Sequence, residues 1–200
     1  MKVGKYLIKF SLIFILIILF SEKSFTTEPD KFIQNIADEA SKILADNFSK
    51  EEKIEKLKSI ALNSVDIRGI GLYTLGSHRK KLSDSQKEIY NDLFRKYFLK
   101  SFSSRLSDYT DPKINVISKE KLNEKYTIVS SILVATDKTP EVKIDWRVYT
   151  KNPDSPLIRD LIIEGLSLAR TQREEFGSIL NSNNGDINVL FKTLKEFSKN

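Results

Sequence analysis

At Asp111-Pro112 the spacing of apolar residues changes from about 3.6 residues to about 2, and that switch decides the fold class. Upstream, after Pro29, the residues Phe32, Ile33, Ile36, Ala37, Ala40, Ile43, Leu44 and Phe48 recur every three or four positions, as one face of a helix requires. Ser49 with Glu52 marks the start of a second helix, continued by Ile54, Leu57, Ile60 and Ala61. Residues 66–76 are apolar but Gly-interrupted, which predicts a short, irregular helix ending at Gly76. Ser83 with Gln86 opens a longer helix whose apolar face is Ile89, Leu93, Phe94, Tyr97, Phe98, Phe102 and Leu106.

Downstream, residues 114–118, 126–136, 142–150 and 157–163 read as strands, with Asn152-Pro153-Asp154-Ser155-Pro156 as a tight turn before the last. Val142, Ile144, Trp146 and Val148 share one face of their strand while Lys143, Asp145 and Arg147 share the other, the signature of an antiparallel sheet covered on one side. Residues 126–136 are apolar on both faces, as a central strand is. Helices over about 171–182 and 186–198, separated by Asn183-Asn184-Gly185, close the chain. Helices, then strands, then helices give an α+β fold with about four strands. No internal repeat or long linker divides it, so residues 27–200 are expected to form one domain.

The first 26 residues have a different character. Lys2, Lys5 and Lys9 precede an apolar run over residues 10–20, broken only by Ser11, and polar residues follow. This is the layout of a secretory signal, and the run is short of the roughly 20 residues a membrane-spanning helix needs. Ser24 and Thr26 flank a bulky Phe25 at the cleavage region, so an uncleaved N-terminal anchor stands as the alternative to export with cleavage. The net charge of +6 also lies partly here: four lysines against Glu22 fall in this segment, leaving +3 for the rest. That small, interspersed excess argues against a nucleic-acid partner.

With no Cys, the chain has no thiol nucleophile, cysteine-ligated metal or lipid-modified N-terminal cysteine, and His78 as the one histidine leaves no cluster for a catalytic metal. There is no glycine-rich phosphate loop, His-Glu-x-x-His or Gly-x-Ser-x-Gly. His78 reads as a loop residue, and Asp145 and Glu164 as carboxylates paired with nearby arginines rather than as bases. An enzyme is therefore not expected. The aromatic face of Phe94, Tyr97, Phe98 and Phe102, set opposite the Trp146 face of the sheet, is either ordinary core or the wall of an apolar cavity, and periodicity does not separate the two.

Leu75-Gly76 before a basic loop, the stretch SDSQKEIYNDLFRKYFLKSF from Ser83, and Asp145-Trp146-Arg147-Val148-Tyr149 form a recognisable set. With them go Asp160-Leu161-Ile162-Ile163-Glu164-Gly165-Leu166-Ser167 and Thr171-Gln172-Arg173-Glu174-Glu175-Phe176. Together they resemble the MlaC family, also called the toluene-tolerance auxiliary family, over about residues 29–195. The resemblance implies a twisted antiparallel sheet wrapped by N- and C-terminal helices, with an apolar cavity between sheet and helices. It implies a soluble periplasmic carrier with phospholipid as cargo and no cofactor. Its implied partners are an outer-membrane lipoprotein bound to a porin and an inner-membrane ABC transporter with a lipid-binding substrate-binding subunit, and its implied role is to maintain outer-membrane lipid asymmetry.

Placed on this sequence, the expected acyl-chain pocket is lined by Leu93, Phe94, Tyr97, Phe98, Phe102, Ile144, Trp146, Val148, Leu161, Ile163, Leu166 and Phe176, with Arg147 and Arg173 at its mouth. The energetic demand is large: at about 0.8 kcal/mol per methylene, exposing two chains of a dozen or more groups costs on the order of 20 kcal/mol. The competing classes are a periplasmic cone-fold enzyme acting on a small apolar substrate and a ligand-free adaptor with a filled core.

Overall fold

Val129, Ser131 and Leu133 on one strand, and Ile144, Trp146 and Val148 on the next, are buried, while the residues between them are half-buried or exposed. One face of the sheet is therefore sealed against helix and the other is only partly covered. The computed structural model describes residues 27–137 and 140–199. The segment read as a signal peptide lies outside them.

The chain runs through α1 (Pro29–Ala45), α2 (Lys50–Ser64), α3 (Ile67–Thr74), a 3-10 turn (Gly76–Lys80) and α4 (Asp84–Leu106). It continues through β1 (Ile114–Asn123), β2 (Tyr126–Leu133), β3 (Val142–Tyr149), β4 (Leu157–Ile163), β5 (Leu166–Ser167), α5 (Leu168–Ser182) and α6 (Ile187–Lys199). The five strands form one antiparallel sheet in the order β1-β2-β3-β4-β5. This is the expected α+β arrangement. Both capping boxes form: Ser49 with Glu52 opens α2, and Ser83 with Gln86 opens α4.

Several elements differ from their predicted extent, β2 among them, which ends at Leu133 and not at residue 136. β1 runs to Asn123, since its Lys-rich second half, exposed and without apolar alternation, is held by the backbone ladder to β2. A fifth, two-residue strand exists because Glu164 (φ 48) and Gly165 (φ 82) make a tight hairpin that folds Leu166 back onto Ile163. Ser167 then caps α5, its hydroxyl accepting from the Arg170 amide at 3.1 Å, so this helix begins before residue 171.

The apolar interior is divided. Under the sheet, Ile33 of α1 packs with Val129, Leu133, Ile144, Trp146, Val148 and Ile158. A second, helical core gathers Ile67 and Ile70 of α3, Tyr90 and Phe94 of α4, Phe176 and Leu180 of α5, and Leu190 and Leu194 of α6. Val65, at the α2–α3 joint, packs against both. It is held to the sheet edge by a parallel bridge to Ile158.

Candidate functional site

Strand alternation sends Trp146 and Arg147 to opposite faces of the sheet. On the Arg147 face, Tyr126 stands across from Tyr149 with ring centroids 5.5 Å apart, and Arg147 stands across from Ile128 on one side and Asp160 on the other. With α3 and the start of α5, this face encloses a cleft of about 340 Å³. Ile70, Tyr73, Leu122, Tyr126 and Ala169 give it apolar walls; Arg147, Arg159, Asp160 and Asn123 supply the polar groups, and Gly69 completes the lining.

Each polar group is placed by a local cause. Asp160 is buried, and its carboxylate accepts from the Ser167 hydroxyl at 2.6 Å and the Ala169 amide at 3.0 Å, which pins the start of α5 to β4. The register irregularity between Arg147 and Val148 leaves Arg159 without a direct partner on β3. Its guanidinium instead forms an ion pair with Asp66 and lies 4.7 Å over the Tyr149 ring. Asp66 also caps α3 by accepting from the Gly69 amide at 2.8 Å, and its own amide donates to the Ile158 carbonyl at 3.0 Å. A capped helix end and an ion pair thus fix α3 over the sheet.

Arg147 and Arg159 each bury an Nε–H without a hydrogen-bond partner, but Arg159 is ion-paired to Asp66, whereas among the described residues Arg147 makes no salt bridge. A guanidinium on the wall of an open cleft with an unused buried donor favours an incoming phosphate or carboxylate, since the desolvation cost has already been incurred. Arg173, exposed on the first turns of α5, lies 5.1 Å over the ring of Tyr73, which lines the same cleft. The arrangement suits an amphipathic anion: apolar wall, guanidinium at the wall, second guanidinium at the rim.

The carboxylates considered from sequence sit elsewhere. Asp145 accepts from the Ser130 hydroxyl at 2.6 Å and pairs with Lys143 at 3.3 Å, not with an arginine. Glu164, in its exposed turn, accepts from the Lys143 amide. His78 lies in the 3-10 turn beside Asn181, Nε2 to Oδ1 at 3.2 Å. No group of three or more His, Cys, Asp or Glu able to hold a metal occurs among the described residues. None of their helices is long and apolar enough to cross a membrane.

Of the fourteen residues assigned to pocket and mouth, Arg147 lines this cleft and Arg173 touches its rim. The apolar twelve are not brought together. Phe94 and Phe176, with half-buried Leu93, Tyr97 and Phe98, belong to the helical core, and Phe102 stacks on Phe98 at 5.8 Å. Burial pushes the Tyr97 phenol up, and its hydroxyl donates to Gln172 at 2.7 Å. Ile144, Trp146, Val148 and Leu161 belong to the core under the sheet, and Ile163 stands across from Ile144. Leu166, in the hairpin, is 60% exposed.

The expected confrontation of the aromatic helix face with the Trp146 face does not occur. α1 covers that face of the sheet, and the aromatic face of α4 turns toward α3, α5 and α6. Sequence reasoning also missed Tyr73, Leu122, Tyr126 and Arg159. The legible signal was the pair of glycines in α3: at Gly69 a Cβ would stand 2.5 Å from Oδ2 of Asp66 and 2.7 Å from Cζ of Arg159, so a backbone must pass close to a charged pair there.

The structure of a phospholipid-binding protein from Ralstonia solanacearum in complex with a phospholipid matches this fold with a TM-score of 0.72. The sequences are 17% identical, and the match covers 86% of this chain and 98% of that chain. Residues 34–196 match the family model described as MlaC protein, which takes in most of α1 and α6, everything between them and every residue of the cleft. The chain belongs to the MlaC family.

Proposed function

We propose that this protein is a non-enzymatic phospholipid carrier whose cleft on the Arg147 face receives the lipid phosphate. The observation that carries the reading is Arg147: a buried, unpartnered guanidinium N–H on the wall of a cleft otherwise made of Ile70, Tyr73, Leu122, Tyr126 and Ala169. Membership of the MlaC family and the phospholipid-bound Ralstonia protein of the same fold support it. The phosphate meets Arg147, with Arg173 at the rim as a second cation.

The cleft, at about 340 Å³, is near the lower bound of roughly 300–1,000 Å³ for sites of drug-sized ligands, and a two-chain lipid is larger. The acyl chains therefore extend past α3 toward the helical core, where half-buried Leu93, Tyr97, Phe98 and Phe102 offer apolar surface while Phe94 and Phe176 stay packed. Trp146, Ile144, Val148, Leu161 and Ile163 stay with the opposite face in this reading.

In the cell, the N-terminal segment exports the chain to the periplasm. There it passes lipid between an outer-membrane lipoprotein–porin complex and an inner-membrane ABC transporter with a lipid-binding subunit, sustaining outer-membrane asymmetry. Release depends on docking, since the carrier must otherwise offset most of the cost of hydrating the chains. Solvent extraction of the purified protein followed by lipid mass spectrometry and phosphorus assay is the test. Near-stoichiometric phospholipid in the native preparation and none after delipidation is the expected result; phosphorus near zero in both would reject the carrier reading.

A further inference from the structure

A second cavity, of about 430 Å³, lies between α2, α4 and the end of α6 and shares no lining residue with the cleft. Its walls carry Lys58 and Ile54 from α2, Lys96, Lys100 and Ser104 from α4, and Ser198 from α6. Its lining includes three ammonium groups and no carboxylate. The lysines are engaged only weakly. Lys58 pairs with Glu55 at 2.7 Å and Lys96 with Asp92 at 2.7 Å, both within one helix with the carboxylates exposed, while Lys100 donates to the Phe197 carbonyl at 3.0 Å. Such pairs exchange readily for an incoming carboxylate.

Shape distinguishes the ligand class. From Lys96 to Ser104 the wall follows two turns of α4, roughly 12 Å at 1.5 Å per residue, with Lys96 and Lys100 one turn apart on it and Lys58 on α2, so the groove is elongated and its positive groups are spread over two walls. Lysine ammonium groups spread along an elongated groove, beside Ile54 and serine hydroxyls, match an extended chain bearing alternating carboxylates. They do not make the convergent cradle of amides and guanidiniums that selects a single phosphate.

We infer that the groove between α2, α4 and α6 docks an acidic peptide segment of a partner protein, independently of whatever the cleft holds. The inference does not rest on the lipid reading: an empty cleft would leave it intact.

The test is a heteronuclear NMR titration of the intact, isotopically labelled protein. The probes are an acetylated, amidated octapeptide alternating Glu and Ala and, separately, inorganic phosphate. The peptide should shift the amides of Lys58, Lys100 and Ser104 and leave those of Tyr73, Tyr126 and Arg147 in place. Its affinity should fall at least fivefold between 50 and 300 mM salt, and at least tenfold in the Lys58→Glu, Lys96→Glu double variant. Lys96→Glu alone, at an exposed position, covers the case in which the double variant fails to fold, and should weaken binding at least threefold; a smaller loss overturns the inference. It is also overturned if the peptide shifts the cleft or nothing, or if phosphate alone reproduces the groove shifts at equal concentration.

Discussion

A Cβ added to Gly71 would stand 2.7 Å from Cδ1 of Phe94, so α3 meets α4 with backbone against aromatic ring. Alanine inside a helix normally gains roughly 0.5–1 kcal/mol over glycine. Here the overlap outweighs it, and Gly71→Ala should destabilise by about 1–3 kcal/mol, because Phe94 is clamped by Tyr90, Phe98 and Phe176 and has no free direction. Urea denaturation measures this; a midpoint equal to or above that of the parent would show that the ring yields.

The indole of Trp146 donates to the Ser131 hydroxyl at 2.8 Å, and that hydroxyl donates to the Ile144 carbonyl at 3.1 Å, all within the sealed face. Ser131→Ala leaves a buried indole N–H without an acceptor, at a cost of about 1–3 kcal/mol. Trp146 is the only tryptophan, so its fluorescence reports the unfolding transition directly. An unchanged transition would mean that another acceptor replaces the hydroxyl.

Removing the Asp160 carboxylate strands two donors, the Ser167 hydroxyl and the Ala169 amide. Asp160→Ala is expected to cost about 2–3 kcal/mol and to speed hydrogen exchange at Ala169 and Arg170 more than in α6. Uniform acceleration in both helices would point to global loosening instead.

Arg147 and Arg173 should separate stability from loading. Arg147→Met removes a half-buried cation whose buried Nε–H has no partner while keeping the stem packed, so the melting temperature should hold or rise while lipid retention falls. Arg173→Glu gives up only the contact over Tyr73, about 0.5–1 kcal/mol, and should lower loading or transfer with little thermal shift. A large thermal loss with normal loading would make either arginine structural.

Lys119 donates to both Glu28 and Asp30 and ties the start of α1 to β1. The hydrogen bond from Lys119 holds Asp30 below its usual 3.8, and those to Glu28 and Asp30 hold Lys119 above its usual 10.5. A lowered carboxylate contributes stability above its unfolded value and loses it as pH falls through its folded value; a raised ammonium contributes below its unfolded value and loses it as pH rises through its folded one. The clamp should thus loosen below about pH 4 and above about pH 10.5, with Lys119→Met flattening both limbs. Hydrogen exchange at the first turn of α1 across pH is the measurement, and identical profiles in the two proteins would dismiss the clamp.

Local signals were enough for the elements. The change of period at Asp111-Pro112, the boxes at Ser49 and Ser83 and the alternation through Trp146 depend on residues within a turn or a strand of one another, and each recurs in the structure. What spacing along one element does not encode is which other element its apolar face meets. Phe94 and Trp146 both announce burial, yet their partners, Phe176 in one case and Ile33 in the other, are chosen by how α1 and α3 pack against the sheet. The cleft is a still less local property. Arg147 from β3, Tyr73 from α3 and Ala169 from α5 become neighbours only when Asp66 and Asp160 fasten their helices to β4. Periodicity reports the direction of a side chain relative to its own backbone; the identity of what it touches is fixed by long-range packing, and so had to come from the tertiary structure.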